Sequence, residues 1–392
     1  MSEKLCVDTL MSELKNIYEN KPETWDLTAA LIKESLRYHA QHNEQYASYL
    51  DNARETVEEG ELANIPLVPS TLFKNPAAKV LSGPQSEIQQ YSRSSGTQGA
   101  VSLVPRDETS ILRFIGGMSA SMPALLGVDR MGNHVGIVLG KDADSAENLW
   151  FSYALACITI EIETEFMETK DGFDIDKTLD TIGKLKASGR DLIIVGPPFR
   201  ALDLAEAYAE RVGKALGGKD FIITAGGWKG EKSKAIDNKT FRRVVCKSFG
   251  LKSDKQIRDC YNMVECNTAF FECEHHEKHI PPWVYAYSVD PVNQNKKTDG
   301  EGVICLLDAS ANSYPCFIKT DDVGIINHEQ CSCGRHGPTI RITRRINKVE
   351  SRGCALKMAV GKNTDNANRF HQSIYRTPAS HPLLKGAGSD NE

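Results

Sequence analysis

The chain has 392 residues, of which 40 % are hydrophobic, 25 % charged and 7 % aromatic. At about 150 residues per domain, this length suits one large domain with an accessory piece or two ordinary domains. The near-average composition excludes collagen-like, disordered and membrane-spanning classes. Because 47 basic residues stand against 52 acidic ones, with no concentrated basic stretch, we expect no nucleic-acid partner.

The N-terminus and the cysteines bear on the compartment. The first six residues, Met-Ser-Glu-Lys-Leu-Cys, contain no apolar signal region, and the most apolar run, residues 149–162, is short and interrupted by polar groups. We therefore expect a cytoplasmic protein without a membrane span. Eleven cysteines are an odd number in a long chain without an export signal, so reduced thiols are expected. Their roles are then packing, metal binding or nucleophilic chemistry.

The N-terminal region has a helical pattern. Leucine, isoleucine and tyrosine residues recur at one-face spacing over residues 5–50, which predicts a helical cap over residues 1–64. The proline-rich stretch 65–74 cannot continue a helix, so we expect it to lead, extended, into the main domain.

Apolar strands and amphipathic helices alternate in the next part of the chain. These predicted elements are 135–139, 175–187, 192–195, 199–216 and 221–224. The alternation predicts βαβ units around a buried parallel sheet, whose ligands gather at the carboxyl ends of the strands. Two of those ends carry special turns, Gly-Pro-Pro at 196–198 and Gly-Gly-Trp at 226–228, where a backbone can approach a ligand closely.

From about residue 280 the sequence becomes strand-rich. The predicted strands are 283–287, 303–307, 316–319 and 339–342. This pattern adds a β-rich subdomain to the α/β core. We therefore expect a core over residues 65–343 and a separate C-terminal segment over residues 344–392, whose final part is polar and contains little apolar material.

A loop rich in hydroxyls and glycine, Ser-Ser-Gly-Thr-Gln-Gly, lies at residues 94–99. Its amides and hydroxyls can cradle phosphate oxygens. It lacks the Gly-Lys-Ser/Thr ending of a P-loop, and the strand-like sequence 101–104 follows it, so we predict a hairpin loop. Taken alone, such a turn is also an ordinary surface connection. The candidate phosphate-binding residues are Ser94, Ser95, Gly96, Thr97, Gln98 and Gly99.

This loop resembles the phosphate loop of the adenylate-forming enzymes, and four further segments resemble that superfamily in the same order along the chain. They match a glycine-rich turn beside the adenylate, an aromatic ring along the adenine, and a carboxylate and a guanidinium on the ribose. The resemblance implies ATP-binding roles for Gly226, Gly227, Tyr261, Asn262, Asp322 and Arg344. It also implies that Glu265 holds Mg²⁺. Taken alone, Glu265 is also consistent with a solvent-exposed carboxylate on a helix, and Asp322 with an ordinary turn residue.

Within that superfamily the chain is similar to the LuxE-type acyl-protein synthetases over most of residues 25–358. The strings that carry this similarity are 69–74, 94–99, 148–153, 196–198, 256–259, 281–285, 308–310, 313–315 and 353–356. The similarity implies an α/β, adenylate-forming-enzyme-like large domain with a helical N-terminal cap, a β-rich subdomain and a truncated C-terminal lid. It further implies ATP and Mg²⁺ as cofactors and a fatty or related carboxylic acid as substrate.

The implied chemistry has two half-reactions. The carboxylate attacks the α-phosphorus of ATP while Mg²⁺ on Glu265 and the donors of the loop screen negative charge. A thiolate then attacks the acyl-adenylate, and Cys354 occupies the acylated-cysteine position that the similarity implies. Basic residues flank Cys354 on both sides, which favours its thiolate. We expect the acyl group to pass to an acyl-CoA-reductase-type enzyme or an acyl-carrier protein.

The chain departs from the superfamily pattern at the hinge. Ile346 stands where an Asp or Lys is usual, and residues 355–392 are too few for a full lid domain. We therefore expect residues 344–392 to form a hinge and a short arm that carries Cys354.

The cysteines mark a second departure. Cys331 and Cys333 resemble a segment of the phenylacetate-CoA ligase branch, which also has a Cys and a His that match Cys273 and His279. Three thiolates and an imidazole form a tetrahedral set for structural Zn²⁺, because thiolates are too soft for Mg²⁺. The alternative imidazole ligands are His275 and His276.

Two other functions stay open on sequence grounds. One is an acyl- or aryl-CoA ligase of the phenylacetate-CoA ligase type, which the zinc-like set favours. The other is a non-catalytic, zinc-stabilised scaffold with a relic nucleotide site. The apolar segments 111–126 and 149–160 are candidates for an acyl pocket, and they also suit ordinary core.

Overall fold

The computed structural model describes residues 7–8, 11, 17–18, 22–53, 62–75, 78, 80–96, 101–128, 132–142, 144–146, 148–228, 231–293 and 296–346. Cys354 and the loop residues Thr97, Gln98 and Gly99 lie outside these ranges, as does nearly all of the predicted C-terminal arm.

Helices dominate the N-terminal region, as its periodicity predicts. They are α1 (Pro22–Asp26), α2 (Thr28–His42) and α3 (Glu44–Ala53). Helix α2 buries one face, which includes Leu31, Ile32 and His39, because apolar residues recur along it at helical spacing. The ring of His39 packs edge-on against Phe317 of the second sheet, with a centroid separation of 6.0 Å. The predicted cap therefore lies on the β-rich part of the protein.

The first sheet is the parallel sheet that the strand–helix alternation predicts. Its strands are β4 (His134–Val138), β5 (Thr164–Phe166), β8 (Asp191–Gly196), β9 (Phe221–Ala225), β10 (Ile257–Tyr261) and β11 (Phe270–Phe271). They lie in the order β11-β10-β9-β8-β4-β5, and every pair is parallel except β10 with β11. Strand β4 is buried along its whole length, as expected for a sheet covered on both faces.

Three helices cover one face of this sheet. They are α6 (Ile175–Ala187), α7 (Pro198–Arg211) and α8 (Asn238–Phe249). Helix α6 has the predicted bounds, whereas α7 ends at Arg211 and does not extend to residue 216. Helix α8 was not predicted, although its cap residues are clear in the sequence. Asp237 accepts a hydrogen bond from the Thr240 amide, and Gly250 ends the helix with a φ of 60°.

The second sheet contains the β-rich part of the chain. It is formed by β12 (Lys278–His279), β13 (Val284–Val289), β14 (Lys297–Thr298), β15 (Gly302–Asp308), β16 (Phe317–Asn327) and β17 (Thr339–Arg345). These strands are antiparallel, in the order β12-β17-β16-β15-β13-β14. The short strand β1 (Val68–Pro69) joins β16 in parallel, so Val68 pairs with Ile318.

The remaining elements connect the two sheets. They are the hairpin β2 (Ile88–Arg93) with β3 (Leu103–Asp107), helices α4 (Glu108–Ser121) and α5 (Trp150–Ala156), and the small hairpin β6 (Glu168–Thr169) with β7 (Gly172–Phe173). Side chains from α4, α5 and both sheets share one hydrophobic core. The α/β fold with a helical N-terminal region and a β-rich part is thus confirmed. Within the described ranges, no helix is both long and apolar enough to cross a bilayer.

Candidate functional site

A cavity of about 450 Å³ opens at the carboxyl ends of β8, β9 and β10. Its lining is of two kinds. The polar residues include Ser94, Ser95, Gly96, Glu265, Asp321 and Arg345. The apolar residues include Phe114, Met118, Ala154, Leu155, Ile223 and Phe271. Loops and turns provide most of the polar lining, whereas helices α4 and α5 and the sheet provide most of the apolar lining. One cavity therefore offers surfaces for a charged group and for a hydrocarbon.

The loop that begins at Ser94 is the hairpin loop expected from the sequence. Strands β2 and β3 flank it in antiparallel pairing, and two further contacts close its base. The Ser94 amide donates to the Ser102 carbonyl at 3.1 Å, and the Ser102 amide donates to the Ser94 hydroxyl at 3.0 Å. Ser94, Ser95 and Gly96 line the cavity. The other three residues of the predicted phosphate loop lie outside the described ranges.

Glu265 lies at the polar side of the cavity and is only 6 % exposed. Its Oε1 accepts a hydrogen bond of 2.6 Å from the Ser102 hydroxyl, so the hairpin contacts this carboxylate directly. Burial raises the pKa of the Glu265 carboxyl, and the hydrogen bond from Ser102 opposes that rise. Burial disfavours the negative charge of this carboxylate, and a bound divalent cation would stabilise that charge. Carboxylate oxygens are also the ligands that Mg²⁺ prefers.

The Gly226-Gly227 turn follows β9 and lines the same cavity. Gly226 has a φ of 80°, and a Cβ atom there would lie 2.6 Å from Cε2 of Phe151. Gly227 also has a positive φ, 63°. A side chain at Gly226 would therefore be strained twice, by the backbone conformation and by the ring of Phe151.

Tyr261 and Asp322, predicted to contact adenine and ribose, lie next to each other. The Tyr261 hydroxyl donates to Asp322 Oδ2 at 2.9 Å, and Arg345 Nε donates to Asp322 Oδ1 at 2.9 Å. Asn262, the neighbour of Tyr261, lines the cavity and accepts a hydrogen bond from the Trp150 indole. The structure thus brings Tyr261 and Asp322 into contact beside two cavity-lining residues, Asn262 and Arg345.

The two arginines at the end of β17 point in different directions. Arg344 Nε lies 3.2 Å from Glu301 Oε1 in a partly exposed ion pair. Arg345 contacts Asp322 and lines the cavity, because successive side chains of a strand point to opposite faces. Sequence reasoning chose Arg344 for the ribose, but it is Arg345 that lies at Asp322. The alternation of side chains along the strand was the signal that could have separated them.

Arg106 is a further residue that sequence reasoning missed. Its side chain is fully buried, and its Cζ lies 3.5 Å from the ring centroid of Trp150. Its Nη2 donates to the carbonyl oxygens of Val264 and Cys266, at 2.7 and 3.3 Å, on either side of Glu265. A buried arginine thus fixes the backbone that carries the candidate Mg²⁺ ligand.

A separate cluster contains the predicted zinc ligands. The ligand atoms of Cys273, His279, Cys331 and Cys333 all lie within 4.8 Å of one another. Sγ of Cys273 lies 3.7 Å from Sγ of Cys331, and Sγ of Cys333 lies 3.3 Å from Nε2 of His279. The two alternative ligands are not in this cluster. His276 faces Glu272 and Asp254, whereas His275 contacts Cys273 through its amide.

The cluster also contacts the N-terminal region. The ring of Tyr18 packs edge-on against His279 at a centroid distance of 5.7 Å, and the amide of His336 donates to the Tyr18 carbonyl. A Cβ atom on Gly337 would lie 2.2 Å from the ring of Trp25. The loop that carries two of the cysteines is therefore packed under residues from the start of the chain.

A second group of potential ligands, Cys266, Asp308 and Cys316, is fully buried. Asp308 accepts hydrogen bonds from the Ser310 amide and hydroxyl, from the Asn267 amide and from the Cys266 thiol. The Cys316 thiol donates to the Glu265 carbonyl. Because hydrogen bonds already occupy both oxygens of the Asp308 carboxylate, we interpret this group as a structural hydrogen-bond network and not as a metal site.

Fold and cavity together define an α/β enzyme whose site joins polar loops to an apolar pocket. The family model described as "Acyl-protein synthetase, LuxE" matches residues 6–361, and the chain belongs to this family. It is 34% identical over 376 residues to "Long-chain-fatty-acid--luciferin-component ligase" of Vibrio harveyi, covering 91% of this chain and 95% of the relative. The Aliivibrio fischeri protein of the same name is 34% identical over 352 residues, covering 88% and 92%. The chain is therefore a ligase, and the scaffold alternative is not retained.

Solved structures with a similar fold are more distant. One is ATP-bound MatB from Rhodopseudomonas palustris, with a TM-score of 0.45, 14% identity and 68% of this chain covered. Another is a long-chain-fatty-acid-CoA ligase from Archaeoglobus fulgidus, with a TM-score of 0.48, 11% identity and 67% covered. The chain spans about half the length of each, 49% and 52% respectively.

Proposed function

We propose that this ligase activates a long-chain fatty acid with ATP and carries the acyl group on its own Cys354. A reductase or an acyl carrier protein then receives the acyl group. The observation that carries the proposal is the cavity, whose lining combines Glu265 and the Ser94–Gly96 backbone with the apolar side chains of α4 and α5. The names of the Vibrio harveyi and Aliivibrio fischeri relatives supply the class of acid and of ligase.

The first half-reaction joins the acid to AMP. A carboxylate oxygen forms a bond to the α-phosphorus, the bond from that phosphorus to the β-phosphate oxygen breaks, and pyrophosphate leaves. Glu265 is the residue that fits Mg²⁺, which supplies charge neutralisation on the phosphates when bound. Ser102 orients Glu265, and the hydroxyls of Ser94 and Ser95 and the amides of Ser95 and Gly96 donate to phosphate oxygens.

The second half-reaction forms the thioester. The thiolate of Cys354 attacks the acyl carbon, the bond from that carbon to the phosphate oxygen breaks, and AMP leaves. Tyr261, Asp322 and Arg345 bind the nucleoside in this proposal. The hydrogen bonds from Tyr261 and Arg345 to Asp322 hold its carboxylate in place. The apolar cavity wall keeps the hydrocarbon out of water while the carbonyl reacts.

The function is tested with the purified full chain, ATP, Mg²⁺ and radiolabelled long-chain fatty acid. We expect label on the protein that is stable in a denaturing gel and released by hydroxylamine, as for a thioester. Cys354→Ser abolishes it, whereas Cys246→Ser, a change at a half-buried cysteine of α8, does not. Undiminished release of acyl-CoA by Cys354→Ser, with coenzyme A present and no protein label, would instead identify an acyl-CoA ligase.

We also propose that Cys273, His279, Cys331 and Cys333 bind a structural Zn²⁺. Tetrahedral zinc with Zn–S bonds of about 2.3 Å requires sulfur atoms about 3.8 Å apart, and the Cys273–Cys331 distance is 3.7 Å. Such a centre has one net negative charge. Arg258 is only 5 % exposed, has no hydrogen-bond partner for Nε and Nη1 among the described residues, and interacts electrostatically with Glu274, Cys273 and Glu272. Its positive charge balances a zinc–thiolate centre better than it balances neutral thiols.

A further inference from the structure

The short helical turn Ser70–Lys74 carries two polar side chains into the cavity, and the half-reactions above use neither of them. Ser70 and Lys74 both line the cavity, and they are the first and last residues of this turn. Ser70 is 3 % exposed, and its hydroxyl has no hydrogen-bond partner within the described part of the chain. Buried hydroxyls are nearly always hydrogen-bonded, so an unpartnered one that borders a cavity points to a ligand.

Pairing between distant parts of the chain holds this turn in place. Strand β1 runs parallel to β16, with Val68 opposite Ile318 and Pro69 opposite Lys319. The turn begins at the residue after Pro69, and Phe73 anchors it by packing against Tyr314 with ring centroids 5.5 Å apart. Both the backbone and a buried aromatic ring therefore fix the direction in which Lys74 points.

Lys74 forms an ion pair with another charged residue of the cavity lining. Its Nζ lies 3.6 Å from Oδ2 of Asp321, a cavity residue, and both side chains are about one-third exposed, at 29 % and 30 %. Lys74, Arg345 and Glu265 all line this cavity. Burial raises the pKa of Glu265, and the positive charges of Lys74 and Arg345 oppose that rise. The donors of the Ser94–Gly96 segment line the same cavity. A cation, a free hydroxyl and backbone donors around a candidate Mg²⁺ ligand form a site for a polyphosphate.

We propose that Lys74 Nζ and Ser70 Oγ bind the pyrophosphate portion of ATP, so that Lys74 stabilises the leaving group of the adenylation step. This inference rests on the proposed function. When the bond between the α-phosphorus and the bridging oxygen breaks, its electron pair leaves with pyrophosphate, and the ammonium of Lys74 offsets the added negative charge while keeping its proton. Thioester formation releases AMP and creates no charge at this position, so Lys74 is dispensable for the second half-reaction.

The test separates the two half-reactions in Lys74→Met. One assay is fatty-acid-dependent exchange of pyrophosphate into ATP, and the other is acyl transfer to the protein from chemically synthesised acyl-adenylate. We expect exchange to fall by about 10²-fold or more, while acyl transfer stays within about threefold of wild type. We expect Lys74→Arg, which keeps the positive charge, to retain pyrophosphate exchange within about tenfold of wild type. An equal fall in both assays, or exchange within about threefold of wild type, would overturn the assignment.

Two further variants exclude a merely structural role. If Lys74 only held Asp321 in place, Asp321→Asn would reproduce the loss, whereas we expect it to keep exchange within about fivefold of wild type. Lys319→Met is the matched control, since Lys319 lies on β16 opposite Pro69 and is not a cavity residue.

If Lys74→Met does not fold, Ser70→Ala tests the proposal in its place. We expect it to raise the KM for ATP by about threefold to tenfold with acyl transfer unchanged, and an unchanged KM overturns the proposal. Wild-type protein inactive in both assays would instead overturn the proposed function itself.

Discussion

The guanidinium of Arg106 lies over the indole of Trp150, with Cζ 3.5 Å from the ring centroid, and it bonds to the backbone on both sides of Glu265. Trp150 in turn donates to Asn262. Arg106 belongs to β3, the strand that follows the candidate phosphate loop, whereas Trp150 begins α5. One buried cation thus connects the strand after this loop to the candidate Mg²⁺ ligand Glu265 and, through Trp150, to Asn262.

Replacing Arg106 tests this connection. We expect Arg106→Met to lower the free energy of unfolding by about 3 kcal/mol, because it removes charged hydrogen bonds to two buried carbonyls and leaves these groups unpaired. Urea denaturation measures the change. Arg243→Met, at an exposed position on α8, is the control and should stay within about 0.5 kcal/mol of wild type. Wild-type stability of the Arg106 variant would contradict the assigned role.

The buried histidine of α2 predicts a pH dependence of stability. Burial lowers the pKa of His39 to about 3, from an ordinary value of 6.5. Between pH 3 and pH 6.5, the unfolded chain therefore binds a proton at this histidine that the folded protein does not bind. This contribution is fully present above pH 6.5 and is lost as the pH falls toward 3, at up to about 1.4 kcal/mol per pH unit.

His39→Gln removes this titration and leaves a donor for Ser82, whose hydroxyl lies 2.9 Å from His39 Nδ1. We expect the free energy of unfolding of this variant to fall less steeply than that of wild type between pH 6 and pH 4, by up to about 1.4 kcal/mol per unit. Urea denaturation at several pH values gives the slopes, with His42→Gln on the exposed side of the same helix as control. Parallel slopes in wild type and His39→Gln would refute the prediction.

Metal analysis tests the proposed zinc centre. We expect protein purified without metal-affinity tags or chelators to contain about one equivalent of zinc, and Cys331→Ser to lose most of it, because three ligands bind more weakly than four. Cobalt substitution should give the strong visible absorption of tetrahedral thiolate coordination. Cys246→Ser, outside the cluster, should retain the metal. Zinc-free wild-type protein that is stable and unaffected by added zinc would disprove the site.

The apolar lining predicts how chain length is selected. Ala154 on α5 lines the cavity, and Ala154→Leu places three more carbon atoms there. Each methylene of substrate that is excluded costs about 0.8 kcal/mol, so excluding two or three of them should lower kcat/KM for the longest acids about 15-fold to 60-fold more than for the shortest. Measuring pyrophosphate exchange over a series of acids gives this profile. Ala187→Leu, at an exposed position of α6, should not change the profile, and an equal fall for all acids in Ala154→Leu would argue against an acyl pocket here.

Local sequence patterns were sufficient to predict several elements of the fold. Strands β4, β8 and β9 were predicted because a strand buried on both faces is continuously apolar. Helix α6 was predicted as the helix between two such strands. The hydroxyl-rich loop was predicted as a hairpin loop because a strand and not a helix follows it, and the β2–β3 pairing confirms this. Helix α8 could have been recognised from its caps, Asp237 and Gly250.

Tertiary placement explains what sequence reasoning missed. Side-chain alternation predicts that Arg344 and Arg345 point to opposite faces of β17, but only the register of β17 against β16 shows which of them lies beside Asp322. Lys74 and Arg106 looked like ordinary basic residues, because the burial of Arg106 and the position of Lys74 in the cavity lining depend on partners far away in the chain. The acyl-cysteine role of Cys354 stays a prediction, since this residue lies outside the described ranges.

The parallel pairing of β1 with β16 has a consequence for biosynthesis. A nascent chain that has not yet released Ile318 from the ribosome lacks the partner of Val68, and with it the support of the Ser70–Lys74 turn. The α/β half, made of contacts that are closer in sequence, is able to fold earlier, because long loops close at a greater entropic cost. The cavity wall that includes Ser70 and Lys74 is therefore among the last parts to form, and a partly synthesised chain should not consume ATP if this wall binds polyphosphate as proposed.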